Sequence, residues 1–290
     1  MTIEVIEFIQ SLGNGFFDFF FNMISFLGEE YVYIVVMGII YYAYKKELGE
    51  FLAFSLFTTA GINTIIKGIV SAPRPFEKYP TRVENLRPDT AGGHSFPSGH
   101  TQNFTTFLFA ESFYVGKQRM FIVSGVLSVL MALSRMYLGA HFLEDVTVAM
   151  ILGVLLAYIF YRVFTKFQEN KVILHKIYLV VLLFMTPFLF FIVEKDFYTS
   201  YGLLLGFVLA MMFEKKYVQF SMDVTLKQKL LRVLLGLIIM MSIQIGTKPL
   251  FQLFADDGTI LMNIFDLTRY GLVSLLGLGI FPLTFKKFKY

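Results

Sequence analysis

Long apolar runs alternate with short polar clusters along almost the whole chain. The runs lie near residues 29–44, 48–70, 101–117, 120–138, 145–164, 177–193, 199–213, 230–254 and 268–285. Several are shorter than the roughly 20 residues that a helix needs to cross a bilayer about 30 Å thick. The pattern predicts an all-α fold, a polytopic transmembrane helix bundle of about nine spans.

The first 28 residues differ from these runs. A phenylalanine-rich stretch, Phe16 to Phe21 with Asp18 in it, follows Gly13-Asn14-Gly15. We interpret it as an interfacial amphipathic helix rather than a tenth span. The expected division is therefore an interfacial segment at 1–28, a core at 29–165 and a C-terminal transmembrane extension at 166–290.

Composition supports a membrane protein. Hydrophobic residues make up 56% of the chain and charged residues 16%, against roughly 25% charged in soluble proteins. Cysteine is absent, so the chain offers no disulfide, zinc–thiolate site or cysteine nucleophile. The net charge of +4 comes mostly from short loops, which indicates membrane orientation rather than nucleic-acid binding.

The distribution of Lys and Arg over the predicted loops is uneven. One face carries 16 of the 25 cations: Lys45, Lys46, Lys117, Arg119, Arg162, Lys166, Lys171, Lys176, Lys215, Lys216, Lys227, Lys229, Arg232, Lys286, Lys287 and Lys289. Cytoplasmic loops are enriched in such residues. This face and the C-terminus are therefore expected inside, and the loops at 71–99 and 134–145 outside, of what we take to be a bacterial plasma membrane.

Three segments of the outer face combine polar, glycine and proline residues. They run from Lys67 to Arg74-Pro75, through Phe96-Pro97-Ser98-Gly99-His100, and from Ser134-Arg135 to His141 and Asp145. Each segment alone has a structural explanation: a lysine that reaches the interface beside a proline turn, a helix N-cap, and a surface His–Asp pair. Together they place two histidines, three cations and a helix-start serine on one face, which indicates an oxyanion site.

The residue types suit phosphate chemistry. Arg74 offers a planar fork and Lys67 a point charge for phosphate oxygens, while Ser98 begins a helix whose N–H groups favour anions. Asp145 follows His141 by four residues, so the two can share a helix face. The carboxylate can then hold the imidazole tautomer and leave the other nitrogen free to attack.

These segments resemble the signatures of the type 2 phosphatidic acid phosphatase superfamily, which also includes glucose-6-phosphatase and vanadium haloperoxidases. The family pattern reads K-x6-R-P, then P-S-G-H, then S-R-x5-H-x3-D, and every fixed position is matched in order. The resemblance covers roughly residues 45–165. The part beyond about 170 departs from smaller members, and its layout is similar to the nine-span glucose-6-phosphatase and sphingosine-phosphate phosphatase branches.

The resemblance implies a role for each matched residue. His141 is the implied nucleophile, Asp145 its orienting partner and His100 the acid that protonates the leaving oxygen. The implied phosphate cradle is Lys67, Arg74, Ser98, Gly99 and Arg135. The resemblance implies no metal and no cofactor.

The expected activity is therefore that of a membrane enzyme that hydrolyses a phosphate monoester or pyrophosphate on a lipid through a phospho-histidine. Undecaprenyl diphosphate, phosphatidylglycerol phosphate and phosphatidate are the candidate lipids. Two alternatives stay open: a sugar-phosphate phosphatase of the same fold, and a transporter or lipid-phosphate-binding protein without turnover, since charges at membrane depth also mark transport paths. The expected partners are the lipid substrate and the bilayer, and no nucleic acid.

Other polar positions have structural explanations. Gly202 and Gly206 form a helix-packing motif. His175 lies in a basic inner loop and is expected to be solvated. Asp266 and Arg269 are expected to take part in ion pairing at the outer rim.

Overall fold

The computed structural model describes residues 2–288, which form helices and turns without a β-strand. The helices are α1 (Thr2–Ser11), α2 (Gly15–Phe26), α3 (Glu30–Ile39), α4 (Lys46–Val70), α5 (Pro75–Lys78), α6 (Gly99–Val115), α7 (Gln118–Tyr137), α8 (Leu143–Phe167), α9 (Lys171–Met185), α10 (Lys195–Phe213), α11 (Leu226–Phe251), α12 (Ile260–Ser274) and α13 (Leu283–Phe288). Lys289, counted above with the inner cations, and the C-terminus lie outside these residues.

The all-α expectation is confirmed, whereas the count of nine spans is not. Among the described residues, seven helices are long and apolar enough to cross a membrane. The number is eight if α2 and the helical segment Glu30–Tyr44, which meet at an angle of 53°, form one bent span. The helices extend past the apolar runs on which the prediction rested: α9, for example, begins at Lys171 rather than near 177.

Helix α6 is shorter than the seven candidate spans, each of which has 20 residues or more. It has 17 residues, or about 26 Å at a rise of 1.5 Å per residue. It also buries hydroxyl and amide side chains, among them Thr101, Gln102, Thr105 and Thr106. These polar groups interrupt the apolar run near 101–117, which explains why sequence and structure differ here.

The described chain divides into two compact units. The first comprises the residues up to Val32 together with Ile62–Tyr161, and the second comprises Tyr33–Gly61 with the residues from Arg162 onward. The division of the sequence at 28 and 165 stays a prediction.

Close packing of α10 against α12 characterises the second unit. A Cβ at Gly202 would lie 2.3 Å from the carbonyl oxygen of Leu267, and one at Gly206 would lie 2.1 Å from that of Gly271. The predicted packing motif is therefore confirmed, because only glycine lets α10 approach α12 so closely. 

One expectation for this unit is wrong, and a second is confirmed as to pairing. His175 is buried rather than solvated, with Nε2 3.7 Å from Glu50 Oε1. Asp266 and Arg269 do pair, at 2.5 Å, but both side chains are buried rather than at the rim. Helix packing removes these groups from solvent, and their mutual pairing makes that burial tolerable.

In the first unit, α1 and α2 pack against the loop that precedes α6. Ile3 and Ile6 are buried with Val83 and Phe142, while Gln10 Nε2 donates to the carbonyl oxygen of Glu84 at 2.9 Å. Phenylalanines on α2, including Phe16 and Phe19, are exposed, as an interfacial helix requires. The location of this segment at the membrane surface stays a prediction.

Candidate active site

A sharp turn between α7 and α8 places His141 in the first unit. Gly139 has φ +72°, and a Cβ there would lie 2.1 Å from the carbonyl oxygen of Glu84. Only glycine combines this left-handed backbone with so close an approach. The chain therefore leaves α7 tightly, and His141 follows immediately before the first turn of α8.

His141 is held from its Nδ1 side by a carboxylate. Asp145 Oδ2 lies 3.4 Å from His141 Nδ1 and also accepts hydrogen bonds from the Phe142 backbone N–H at 2.8 Å and the Ser95 hydroxyl at 2.5 Å. The spacing of four residues predicted that His141 and Asp145 share a helix face. They do not, because His141 precedes α8 and only Asp145 lies on it. Asp145 thus both fixes the turn before α8 and faces the imidazole.

Ser95 is a residue of this site that the sequence analysis missed. Its Oγ lies 3.4 Å from His141 Nδ1 in addition to its bond with Asp145, and the residue is completely buried. It stands two positions before Pro97, directly ahead of the second polar segment. A buried serine beside a motif could have been suspected, but its partner is 50 residues away.

Arg74 faces the other imidazole nitrogen. Its Nη1 lies 3.3 Å from His141 Nε2 and donates to the Ala140 carbonyl oxygen at 3.0 Å, while its remaining N–H groups donate to the carbonyls of Gly92 and Gly93. A guanidinium can only donate. We therefore assign the lone pair to Nε2 and the proton to Nδ1, which faces Asp145.

The two other candidate cations are also buried. Lys67 Nζ donates to the carbonyl oxygen of His94. Arg135 is completely buried, and its guanidinium donates to the Ser25 hydroxyl at 2.6 Å and to the Thr90 carbonyl oxygen at 3.2 Å. Its Nε has no hydrogen-bond partner within the described residues. The partners of Arg135 in these bonds are neutral, so its charge is available to a bound anion.

The second polar segment forms the start of α6. Ser98 Oγ accepts from the backbone N–H of Thr101 at 3.4 Å, as an N-cap does. A Cβ at Gly99 would lie 3.2 Å from Asn63 Oδ1, so the position is tight. His100 Nε2 is buried, and no hydrogen-bond partner for it lies in the described part of the chain.

Burial and the neighbouring positive charges favour the neutral form of His141. Burial lowers the pKa of His141 well below its usual range, and the positive charges of Arg74, Lys67 and Arg135 lower it further. A neutral imidazole retains the lone pair that a nucleophile needs.

Two further contacts at the site come from outside the three motifs. Arg87 forms a salt bridge with Glu29, and its Nη1 donates to the Asn22 carbonyl oxygen at 2.7 Å.

Within residues 2–288, no group of three or more His, Asp or Glu side chains is arranged to hold a metal ion.

Comparison with known families accounts for most of the chain. A model of the PAP2 superfamily matches residues 50–169, and a model described as a PAP2 superfamily phosphatase transmembrane extension matches residues 198–290. The chain belongs to the PAP2 superfamily. The PAP2 core thus contains all the candidate site residues, while Ser25 and Glu29 precede it.

Named relatives of this PAP2 chain share part of its length. A probable sphingosine-1-phosphate phosphatase of Dictyostelium discoideum is 32% identical over 52% of this chain and 40% of its own. Phosphatidylglycerophosphatase B of Bacillus subtilis is 30% identical over 43% of this chain and 63% of its own. The chain therefore spans less than two thirds of these curated relatives.

The PAP2 fold is also seen in a solved structure. The crystal structure of Aquifex aeolicus LpxE superposes with a TM-score of 0.50 at 23% identity, over 56% of this chain and 94% of LpxE. At this identity the likeness concerns the fold alone.

Proposed function

We propose that this PAP2 protein is a membrane phosphatase that hydrolyses a lipid-linked phosphate monoester or pyrophosphate through a phospho-histidine at His141. The observation that supports it most is the state of the imidazole. Its Nδ1 faces Asp145, its Nε2 carries the lone pair, and the guanidinium of Arg74 lies 3.3 Å from Nε2. A nucleophile and a phosphate-binding cation therefore adjoin each other.

The reaction takes two steps. The Nε2 lone pair of His141 attacks phosphorus, a P–N bond forms, and the P–O bond to the lipid breaks as His100 protonates the departing oxygen. Water then attacks the phospho-histidine, gives its proton to His100 and releases inorganic phosphate. Lys67, Arg74, Arg135, the Ser98 hydroxyl and the Gly99 N–H stabilise the charge that spreads over the phosphoryl oxygens.

The names of the relatives support a lipid phosphate as the substrate. One is named for sphingosine 1-phosphate and the other for phosphatidylglycerophosphate, and both substrates carry a phosphate monoester on a lipid. Phosphatidate and undecaprenyl diphosphate present the same terminal phosphate to the cradle. We therefore propose the class rather than one lipid, with a water-soluble sugar phosphate as a poorer substrate.

The proposed topology follows from the charge count and the helices. We propose nine spans, with the short helix α6 completing the set, the site on the extracytoplasmic side and the C-terminus in the cytoplasm. Sixteen of the 25 cations then lie on the inner face, as the positive-inside rule requires.

Purified protein in lipid nanodiscs tests the activity. Inorganic phosphate is measured with phosphatidate, phosphatidylglycerophosphate, sphingosine 1-phosphate, undecaprenyl diphosphate and glucose 6-phosphate as substrates. We expect release from at least one lipid, no release by His141→Ala, and near wild-type release by the control His175→Ala, a histidine of the other unit. Label from a ³²P-substrate should be trapped on the wild type as an acid-labile, base-stable adduct. Release by His141→Ala at the wild-type rate would disprove the mechanism.

A further inference from the structure

The C-terminal end of α2 and the turn that follows it reach the site, although they lie before the region that the PAP2 core model matches. A Cβ at Gly28 would lie 3.1 Å from His100 Cδ2 and 3.0 Å from Met131 Cε. Ser25 Oγ, three residues earlier, accepts from Arg135 Nη1 at 2.6 Å. One short stretch therefore contacts the group assigned to the leaving oxygen and a cation assigned to the phosphate.

A Cβ at Gly28 would contact the edge of the His100 ring that is formed by Cδ2 and Nε2. Cδ2 is bonded to Nε2, and Nε2 is the buried nitrogen without a hydrogen-bond partner among the described residues. An acid must place this nitrogen within hydrogen-bond distance of the oxygen that it protonates. Gly28 consequently borders the space where the leaving oxygen and the atoms attached to it must lie.

We propose that Gly28 is a specificity-determining position that admits the leaving-group end of the lipid beside His100. The inference rests on the proposed function. Any side chain at position 28 takes up part of this space and pushes the imidazole by a few tenths of an ångström. Met131 can yield through its flexible thioether end, so the rigid ring of His100 receives the remaining displacement.

Ser25 gives the same stretch a second effect. Because it holds Arg135, it fixes one side of the bound phosphate relative to the acid. Ser25 is thus a positioning residue, and α2 sets the distance between the phosphoryl group and His100. Small errors in such distances lower the rate strongly.

Leaving-group dependence tests the proposal. The kcat/KM of Gly28→Ala and the wild type is measured with p-nitrophenyl phosphate, phenyl phosphate and a lysophosphatidic acid, whose leaving groups need increasing help from an acid. We expect the loss to grow from about twofold for the nitrophenyl ester to about 30-fold for the alkyl ester. His100→Ala should show the same trend more steeply.

The control is Gly15→Ala, at the start of α2, where an added Cβ meets no atom within 4 Å; it should match the wild type on every substrate. An equal loss on all three esters would overturn the proposal, whereas a wild type that releases no phosphate would overturn the proposed function instead. If Gly28→Ala does not accumulate, the double variant Gly28→Ala/Met131→Leu carries the same test, because the thioether no longer competes for the space.

Discussion

The two units bury charge in opposite ways. In the first, the buried ionic side chains are three cations, Lys67, Arg74 and Arg135, and one carboxylate, Asp145. In the second they are the carboxylates Glu50, Glu214 and Asp266 and the cations Arg232 and Arg269.

Pairing shows what the difference means. Each buried carboxylate of the second unit has a basic partner: Lys171 for Glu50, Lys46 for Glu214 and Arg269 for Asp266. The first unit instead keeps a surplus of positive charge away from water, which is costly unless an anion neutralises it. Buried charge therefore holds helices together in one unit, and in the other it suits the anion-binding role that we propose.

Asp145→Asn is expected to produce the largest effect. The amide can still fill the space but no longer favours the proton on His141 Nδ1, so kcat should fall about 10³-fold. Phosphate release under saturating substrate measures this. Glu144→Gln, the exposed neighbour, is the matched control and should retain full activity. A loss below tenfold in Asp145→Asn would mean that this carboxylate does not orient the nucleophile.

Replacing one buried arginine in each unit separates the two uses of charge. Arg135→Met should lower kcat/KM about 100-fold, because it removes a charged hydrogen-bond donor to the phosphate. It should leave the midpoint of thermal unfolding unchanged or higher. Arg269→Met should leave Asp266 with only the half-exposed Lys195, whose Nζ lies 3.9 Å from Oδ2. The free energy of unfolding should therefore fall by about 3–5 kcal/mol, while kcat/KM in the folded fraction is preserved. The comparison fails if both variants lose stability and activity in parallel.

The acid limb of kcat/KM should reflect the positive surroundings of His141. Burial and the neighbouring cations lower its pKa, so activity should persist below pH 6.5, the ordinary value for histidine, and fall only at lower pH as the nucleophile becomes protonated. Arg74→Gln removes one cation and should shift this limb upward. Because the substrate ionises identically with both enzymes, the difference between the two profiles reports the imidazole. A downward shift would contradict this electrostatic account.

Cysteine labelling compares the sides of the membrane without altering catalysis. Lys78, exposed in the first unit, should react as Lys78→Cys with an impermeant thiol reagent on intact cells. Lys166, exposed in the second unit, should react as Lys166→Cys only after permeabilisation. It is preferred to Lys171, which pairs with Glu50. The chain contains no cysteine, so no background arises. The reverse pattern would place the site in the cytoplasm.

Sequence patterns predicted the positions of the helices better than the contacts between the site residues. Apolar runs revealed where the helices lie because lipid leaves few alternatives to them. The run near 101–117 also located α6, but α6 is too short and buries too many polar side chains to count among the candidate spans. The His141–Asp145 spacing suggested one helix face, whereas the structure bends the chain at Gly139. Ser25, Ser95 and Gly28 make contacts with residues 46 or more positions away in sequence, and spacing within a motif carries no information about such partners.

The bond between Ser25 and Arg135 also bears on biogenesis. The two residues are 110 positions apart, and translation adds about 5–20 residues per second. Ser25 therefore leaves the ribosome roughly 5–20 s before the arginine that it will contact. During this interval α1 and α2 lack their final partners. At the interfacial location that the sequence predicts, the exposed phenylalanines of α2 would hold them at the membrane until the rest of the chain has been synthesised.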